Sequence, residues 1–195
     1  MKSLLLIAWS GLSINILSAN SLNNLLKKPP QWFQSTEAKN KLSNILSFQD
    51  ATGIWPKNVN TAGYRYDGLQ SKLQGTFDNS ASLNELRLLA KAYNATKNNA
   101  YKKAFNKGLE CILDCQYPNG GWPQSPNAKG YSEHITFNDG TMIGIMTFLR
   151  EVHKDNDYKF ATEKNRRICK ERFDLGIQCI IKCQIRVNGK LTAWC

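Results

Sequence analysis

Apolar residues recur at three- and four-residue intervals along most of the chain, the spacing of amphipathic helices. Trp32, Phe33, Leu42, Ile45 and Leu46 trace a first helix. Leu83, Leu86, Leu89, Ala90 and Tyr93 trace a second, with Asp78, Asn79 and Ser80 as start signals. Tyr101, Ala104, Phe105, Leu109, Ile112 and Leu113 mark a third, and Met142, Ile145, Met146, Leu149 and Val152 a fourth. Phe173, Ile177, Ile180 and Ile181 belong to a fifth that is expected to start near Asp157. Alternation of period two is confined to 185–187 and 190–192, around the hairpin-forming pair Asn188-Gly189. The pattern predicts an all-α fold.

One stretch breaks the helical pattern at length. Residues 116–142, QYPNGGWPQSPNAKGYSEHITFNDGTM, concentrate Gly, Pro, aromatic and polar side chains between the third and fourth helices. A loop of this length in a compact domain is functional or disordered, and Tyr117, Trp122, Tyr131 and Phe137 argue against disorder. A structured connector whose aromatics simply pack is the competing reading. The stretch also belongs to a repeat. LSNILSFQDATGIWPKN (from Leu42), LECILDCQYPNGGWPQS (from Leu109) and IQCIIKCQIRVNGKLTAW (from Ile177) share one layout: an apolar helix end, Gln, a Gly-bearing loop, then Trp. Gln49, Gln116 and Gln184 fall 67 and 68 residues apart. TFDNSAS (from Thr76) and TFNDGTM (from Thr136) repeat out of phase, each opening a helix, with their phenylalanines 60 apart. Repeating helix pairs predict an α/α toroid or a solenoid, with loops of equal register gathered at one end. Trp55, Trp122, Asp78 and Asp139 would then share one face.

At 195 residues the chain fits one domain with a sizeable core. Its net charge of +11 favours a polyanionic partner: nucleic acid, anionic lipid or acidic polysaccharide. The cations are dispersed, and no RNA-recognition signature, zinc-finger spacing or long basic arm occurs, so nucleic acid is not the favoured partner. Residues 1–19 read as a signal peptide: Lys2, an apolar run from Leu4 to Leu17, then Ser18 and Ala19 as a cleavage point. That run is too short and interrupted to span a membrane, so no stable membrane insertion is expected. Residues 20–31 read as a linker before a domain over 32–195, and the expected location is secreted or periplasmic, as a monomer. Export permits disulfides. Cys111/Cys115 and Cys179/Cys183 are each i,i+4 pairs in helical patterns, a geometry that seldom bridges, so they read as small buried apolar residues. A cross-helix bridge or a four-cysteine metal site are the alternatives.

IWPKN (54–58), TFDN (76–79), QYPNGGWPQ (116–124), HITFND (134–139) and the ending LTAWC together resemble the family-ten pectate lyases, polysaccharide lyases of α/α-toroid fold. The resemblance covers 42–195, and the motifs occur in order at sensible spacing. It implies cleavage of polygalacturonate (pectin) by β-elimination: a base removes the C5 proton of a galacturonate, the bond at C4 breaks, and a 4,5-unsaturated end remains. It implies Ca2+ as cofactor, with Asp78 and Asp139 matching the family's calcium- and substrate-associated aspartates. Lys57, Asn58, Trp122 and His134 match substrate-cleft positions. The family's base is an arginine in a segment following the motif that LTAWC resembles. Arg150, Arg172 and Arg186 do not occupy that motif, so no catalytic residue is carried over, the toroid is expected to be incomplete, and activity is expected to be impaired.

The residue types suit that chemistry. Calcium takes hard oxygen ligands, Lys and Arg neutralise uronates, and aromatic faces stack on sugar rings. Each residue also has a plainer reading. Asp78 and Asp139 precede helices and could serve as N-caps. Trp55 and Trp122 could pack, Lys57 could be a solvated lysine, and His134 a structural one. Two functions from other classes compete with the lyase: a non-catalytic binder of acidic polysaccharide, and a repeat scaffold that binds protein.

Overall fold

The computed structural model describes residues 22–194; the expected signal peptide and Cys195 lie outside them. Five helices carry the fold: α1 (Thr36–Ser47), α2 (Leu83–Thr96), α3 (Asn99–Asp114), α4 (Thr141–Lys154) and α5 (Glu163–Lys182). A hairpin follows, β1 (Arg186–Val187) paired antiparallel with β2 (Lys190–Leu191), in the register Arg186↔Leu191 set by the Asn188-Gly189 turn. Polar side chains start three of the helices. Ser35 accepts from the Ala38 amide (3.1 Å) at α1, Asn98 from Ala100 (3.0 Å) at α3, and Thr162 from Asn165 (3.1 Å) at α5.

Two boundaries differ from the periodicity. Trp32 and Phe33 fall in a separate 3-10 turn, Pro30–Gln34, because the Ser35 cap restarts the chain as α1. Asp157 sits in another short turn, Asn156–Tyr158, and α5 begins six residues later under the Thr162 cap. The segment expected as a linker is also corrected. Residues 22–26 are helical, and Leu22 and Leu25 are buried in the core. Two leucines three apart share one helical face, a signal outweighed in the sequence by the polar residues around them.

α2 packs on α3, and α4 on α5, so each consecutive pair is a helical hairpin as the repeats predict. Phe105 of α3 joins them, its ring 6.1 Å from Phe148 of α4 and 5.0 Å from Phe160. Cys111, Cys169 and Cys179 are buried, Cys115 is half-buried and Cys183 exposed, with no disulfide among these five.

The three repeat loops are built by the same contacts. Each tryptophan ring donates to a carbonyl near the end of the preceding helix: Trp55 to Ile45 (2.6 Å), Trp122 to Ile112 (2.9 Å), Trp194 to Ile180 (2.7 Å). Each glutamine amide closes its own loop. Gln49 donates to Gly53 O (2.7 Å) and Gln116 to Gly120 O (2.9 Å). The same amides reach the helix of the next pair, Gln49 to Ala104 O of α3 (2.8 Å) and Gln116 to Arg172 O of α5 (2.8 Å). Gly53 and Gly120 lie at φ +106° and +94°, and a Cβ on them would stand 2.8 Å from Lys107 O and 2.2 Å from Leu175 O. Only glycine allows the loop to press this closely on its neighbouring helix. Gln184 reaches Thr192 O (3.2 Å) alone among the described residues, and Trp194 is half exposed.

Candidate functional site

The two TF turns lie side by side where α2 and α4 begin. The first is anchored from both sides. The Thr76 amide donates to Trp55 O (3.0 Å), which ties the turn to the WPKN loop. The Phe77 amide and the Thr76 hydroxyl both donate to Gln124 O (2.8 and 2.7 Å), which ties it to the QYPNGGWPQ loop. Ser82 locks the third side: it accepts from the Trp55 amide (2.9 Å) and its hydroxyl lies 2.7 Å from Thr76 O. Within this frame Asn79, Ser80 and Ser82 are held at φ +53°, +63° and +69°. Such residues cost of order 1–3 kcal/mol each and persist where surrounding contacts over-determine them, a pattern typical of functional sites.

What the frame presents is a carboxylate. Asp78 is almost wholly buried; its Oδ2 pairs with the Lys57 ammonium, and its Oδ1 is buried with no hydrogen-bond partner among the described residues. A buried carboxylate oxygen left bare is costly, which marks this atom as available to a ligand. Asp78 is not a helix cap. α2 starts from Ser82 and α4 from Gly140, neither with a side-chain capping bond. The capping reading therefore fails for both aspartates. Asp139, at φ +51°, is exposed on the adjoining turn.

Lys57 and Asp78 are thus in contact, and Asp139 is brought to the neighbouring turn. Asn58 is exposed beside Lys57 at φ +65°. His134 is exposed in the segment leading to the second turn, where the Tyr117 hydroxyl donates to Glu133 O (2.6 Å). Trp122 is corrected. Its ring is wholly buried and hydrogen-bonded to Ile112 O, as Trp55's is to Ile45 O, so neither can stack on a sugar. The repeat explains this: the ring fastens each loop to its own helix, a duty identical in every unit.

Two buried acids were not singled out by sequence. Asp50 organises the first loop, its Oδ1 accepting from the amides of Thr52, Gly53 and Ile54 and from the Thr52 hydroxyl, its Oδ2 from Gly75. The run Asp-Ala-Thr-Gly is an Asx-turn signal that points to it. Glu85, on the first turn of α2, accepts from the Thr61 hydroxyl (2.9 Å), and its Oε2 has no partner among the described residues. Burial raises its pKa to about 7. Nothing in the sequence distinguishes this glutamate from a surface one.

Among the described residues no three His, Cys, Asp or Glu side chains converge as a metal cage. The chain's own offer to a hard cation is the bare Oδ1 of Asp78 with Asp139 on the neighbouring turn. That donor set fits a calcium ion shared with a bound carboxylate and water, since calcium needs six to eight oxygens.

The family profile for pectic acid lyase matches residues 49–195. A search of curated proteins gave no match. Among solved structures, the family 10 polysaccharide lyase of Cellvibrio cellulosa superposes with a TM-score of 0.72 at 31% identity, over 94% of this chain and 55% of that one. An Asp→Ala variant of the same lyase, in complex with trigalacturonic acid, gives 0.72 and 31% over 94% and 56%. The chain thus spans little more than half the length of these structures, and its helix pairs form part of an α/α toroid. With a profile match over three quarters of its residues, and this fold beneath it, the chain belongs to the pectic acid lyase family.

Proposed function

We propose that the face carrying Lys57, Asn58, Asp78, His134 and Asp139 binds polygalacturonate as part of a pectate-lyase site. The observation that carries this reading is the buried Asp78 carboxylate, held by Lys57 through one oxygen and bare at the other, beside the turn that bears Asp139. Lys57, nearly half exposed, pairs with Asp78 and still has ammonium protons to offer a uronate carboxylate. The strained turn holds Asp78 in place before ligand arrives, which lowers the ordering cost of binding. Asp78 Oδ1 and Asp139 are the residues that would hold calcium. When bound, calcium would supply Lewis-acid stabilisation of the charge that develops as β-elimination removes the C5 proton. The residues of this face bind and orient the substrate.

A second reading, a binder of acidic polysaccharide without catalysis, is favoured by the net charge of +11. Affinity electrophoresis through polygalacturonate, with and without calcium, tests the shared part. Calcium-enhanced retardation is expected, and free migration in both conditions overturns both readings. The ultraviolet absorbance of the unsaturated product separates them: robust turnover would place a base within this chain and exclude the pure binder.

A further inference from the structure

The Cys-x-x-x-Cys-Gln segments at 111–116 and 179–184 have no part in the site above. In the first, Cys111 lies in the last turn of α3 and Cys115 is the residue that ends the helix, at φ −78° and ψ −9°. The two side chains stand one helical turn apart, on the same face of the chain. Both line one open groove of about 580 Å³ between α3 and the 123–128 part of the long loop, walled also by Lys107, Asp114 and Tyr117. Cys115 is half-buried there and Cys111 only 9% exposed, so the pair is approached from the groove side alone.

One helical turn separates Cα atoms by about 6 Å, inside the span that a disulfide accepts, while the Cβ atoms stand at about 5–6 Å where a disulfide wants roughly 3.8 Å. In mid-helix, closing that gap would break the hydrogen-bond ladder on both sides. At the end of α3 only the last bonds, such as the Cys115 amide to Cys111 O (3.0 Å), must yield. Such a bond forms at some strain and is correspondingly easy to reduce.

We propose that Cys111 and Cys115 are a reversible dithiol–disulfide site, oxidised by small disulfides such as glutathione disulfide. The Cys111 thiolate attacks one sulfur of the disulfide, forming a mixed disulfide and releasing one glutathione thiolate, which takes up a proton. Cys115 then gives its proton to solvent and attacks the Cys111 sulfur, expelling the second glutathione. Two protein thiols become one protein disulfide, and one glutathione disulfide becomes two thiols. The neighbouring Cys115 thiol, the largest influence on Cys111, holds that thiol below the ordinary thiol range and favours it as the attacking group. The change does not stay local. Cys115 leads into Gln116, whose amide holds Gly120 O and Arg172 O, and the loop runs on to Gln124, whose carbonyl anchors Thr76 and Phe77 beside Asp78. Tightening the end of α3 pulls on the loop that supports the carboxylate turn.

The full chain, reduced and then incubated natively with glutathione disulfide, is alkylated and digested with trypsin. The peptide 108–129 contains both residues and no other cysteine. It is expected to lose two hydrogens without gaining glutathione, to recover them with reduced glutathione, and in Cys115→Ser to carry glutathione on Cys111. A peptide that stays a dithiol, or that is recovered linked to another cysteine peptide, overturns the site. Hydrogen exchange of the 116–124 amides in the oxidised wild-type chain tests the coupling without any variant: faster exchange is expected, and an unchanged pattern overturns it.

Discussion

The turns at 76–80 and 136–140 follow the same backbone path, part at Ala81 and Thr141, and live in different surroundings. In both, a threonine hydroxyl accepts from the amide two residues on (3.2 Å at Asp78, 3.1 Å at Asn138), the phenylalanine is near-helical, and the residue two past it is left-handed. In register, Asp78 therefore matches Asn138, and Asn79 matches Asp139. The acid has moved by one position between the turns. Phe77 is wholly buried under Gln124, whereas Phe137 is 42% exposed. Asp78 is enclosed and paired, and Asp139 is open. The difference teaches that the TF motif specifies a turn, while the loop of the following repeat decides whether the turn is covered. Only the covered copy holds a carboxylate rigidly.

The largest expected contrast is in the phenylalanines. Phe77→Ala should cost about 3–5 kcal/mol, as a buried aromatic does, and Phe137→Ala less than about 1 kcal/mol. Urea unfolding midpoints of the two variants measure it, and equal losses would break the comparison.

Next comes the position eight past the phenylalanine, Glu85 in the first unit and Ile145 in the second. The Glu85 pKa is raised by burial from 4.5 to about 7, so the folded state holds a proton that the unfolded state releases. Stability is then greatest below about pH 4.5 for this group and falls as pH rises through 7, by a few kcal/mol in all. Glu85→Gln should flatten this pH dependence between about pH 4.5 and 7. Thermal unfolding across that range reads it, and an undiminished slope would remove Glu85 as the cause.

A smaller contrast is expected in binding. Asp78→Asn should weaken calcium-dependent retention on polygalacturonate by about tenfold or more, near 1.4 kcal/mol, and Asp139→Asn by less. Equal losses would mean that the open turn is as well organised with ligand as the covered one.

The smallest effect lies in the backbone. Ser80 takes a positive φ where the other turn has Gly140. Ser80→Gly should stabilise by up to about 1 kcal/mol, and Gly140→Ser should destabilise by a similar amount, because a side chain in that region costs about 1–2 kcal/mol while glycine costs chain entropy. Differential scanning calorimetry of the pair resolves the sign.

Sequence alone determined the all-α class, the five helices within a few residues, the register of the three loops and the pairing of the TF turns. These follow from local rules: apolar spacing, capping side chains and glycines at loop closures. It also brought out Lys57 and Asp78 as candidates, because their motifs are unusual in composition. Three things were decided only by tertiary structure. The burial of Trp122 depends on which way a loop folds over its own helix, and the same tryptophan on a loop turned outward would have met solvent. The docking of Leu22 and Leu25 depends on a core surface assembled from helices distant in sequence. The placing of Asp78 depends on Ser82, Trp55 and Gln124 meeting around Thr76 and Phe77 from three segments. A carboxylate's partners are set by distance in space, and no spacing along the chain encodes that.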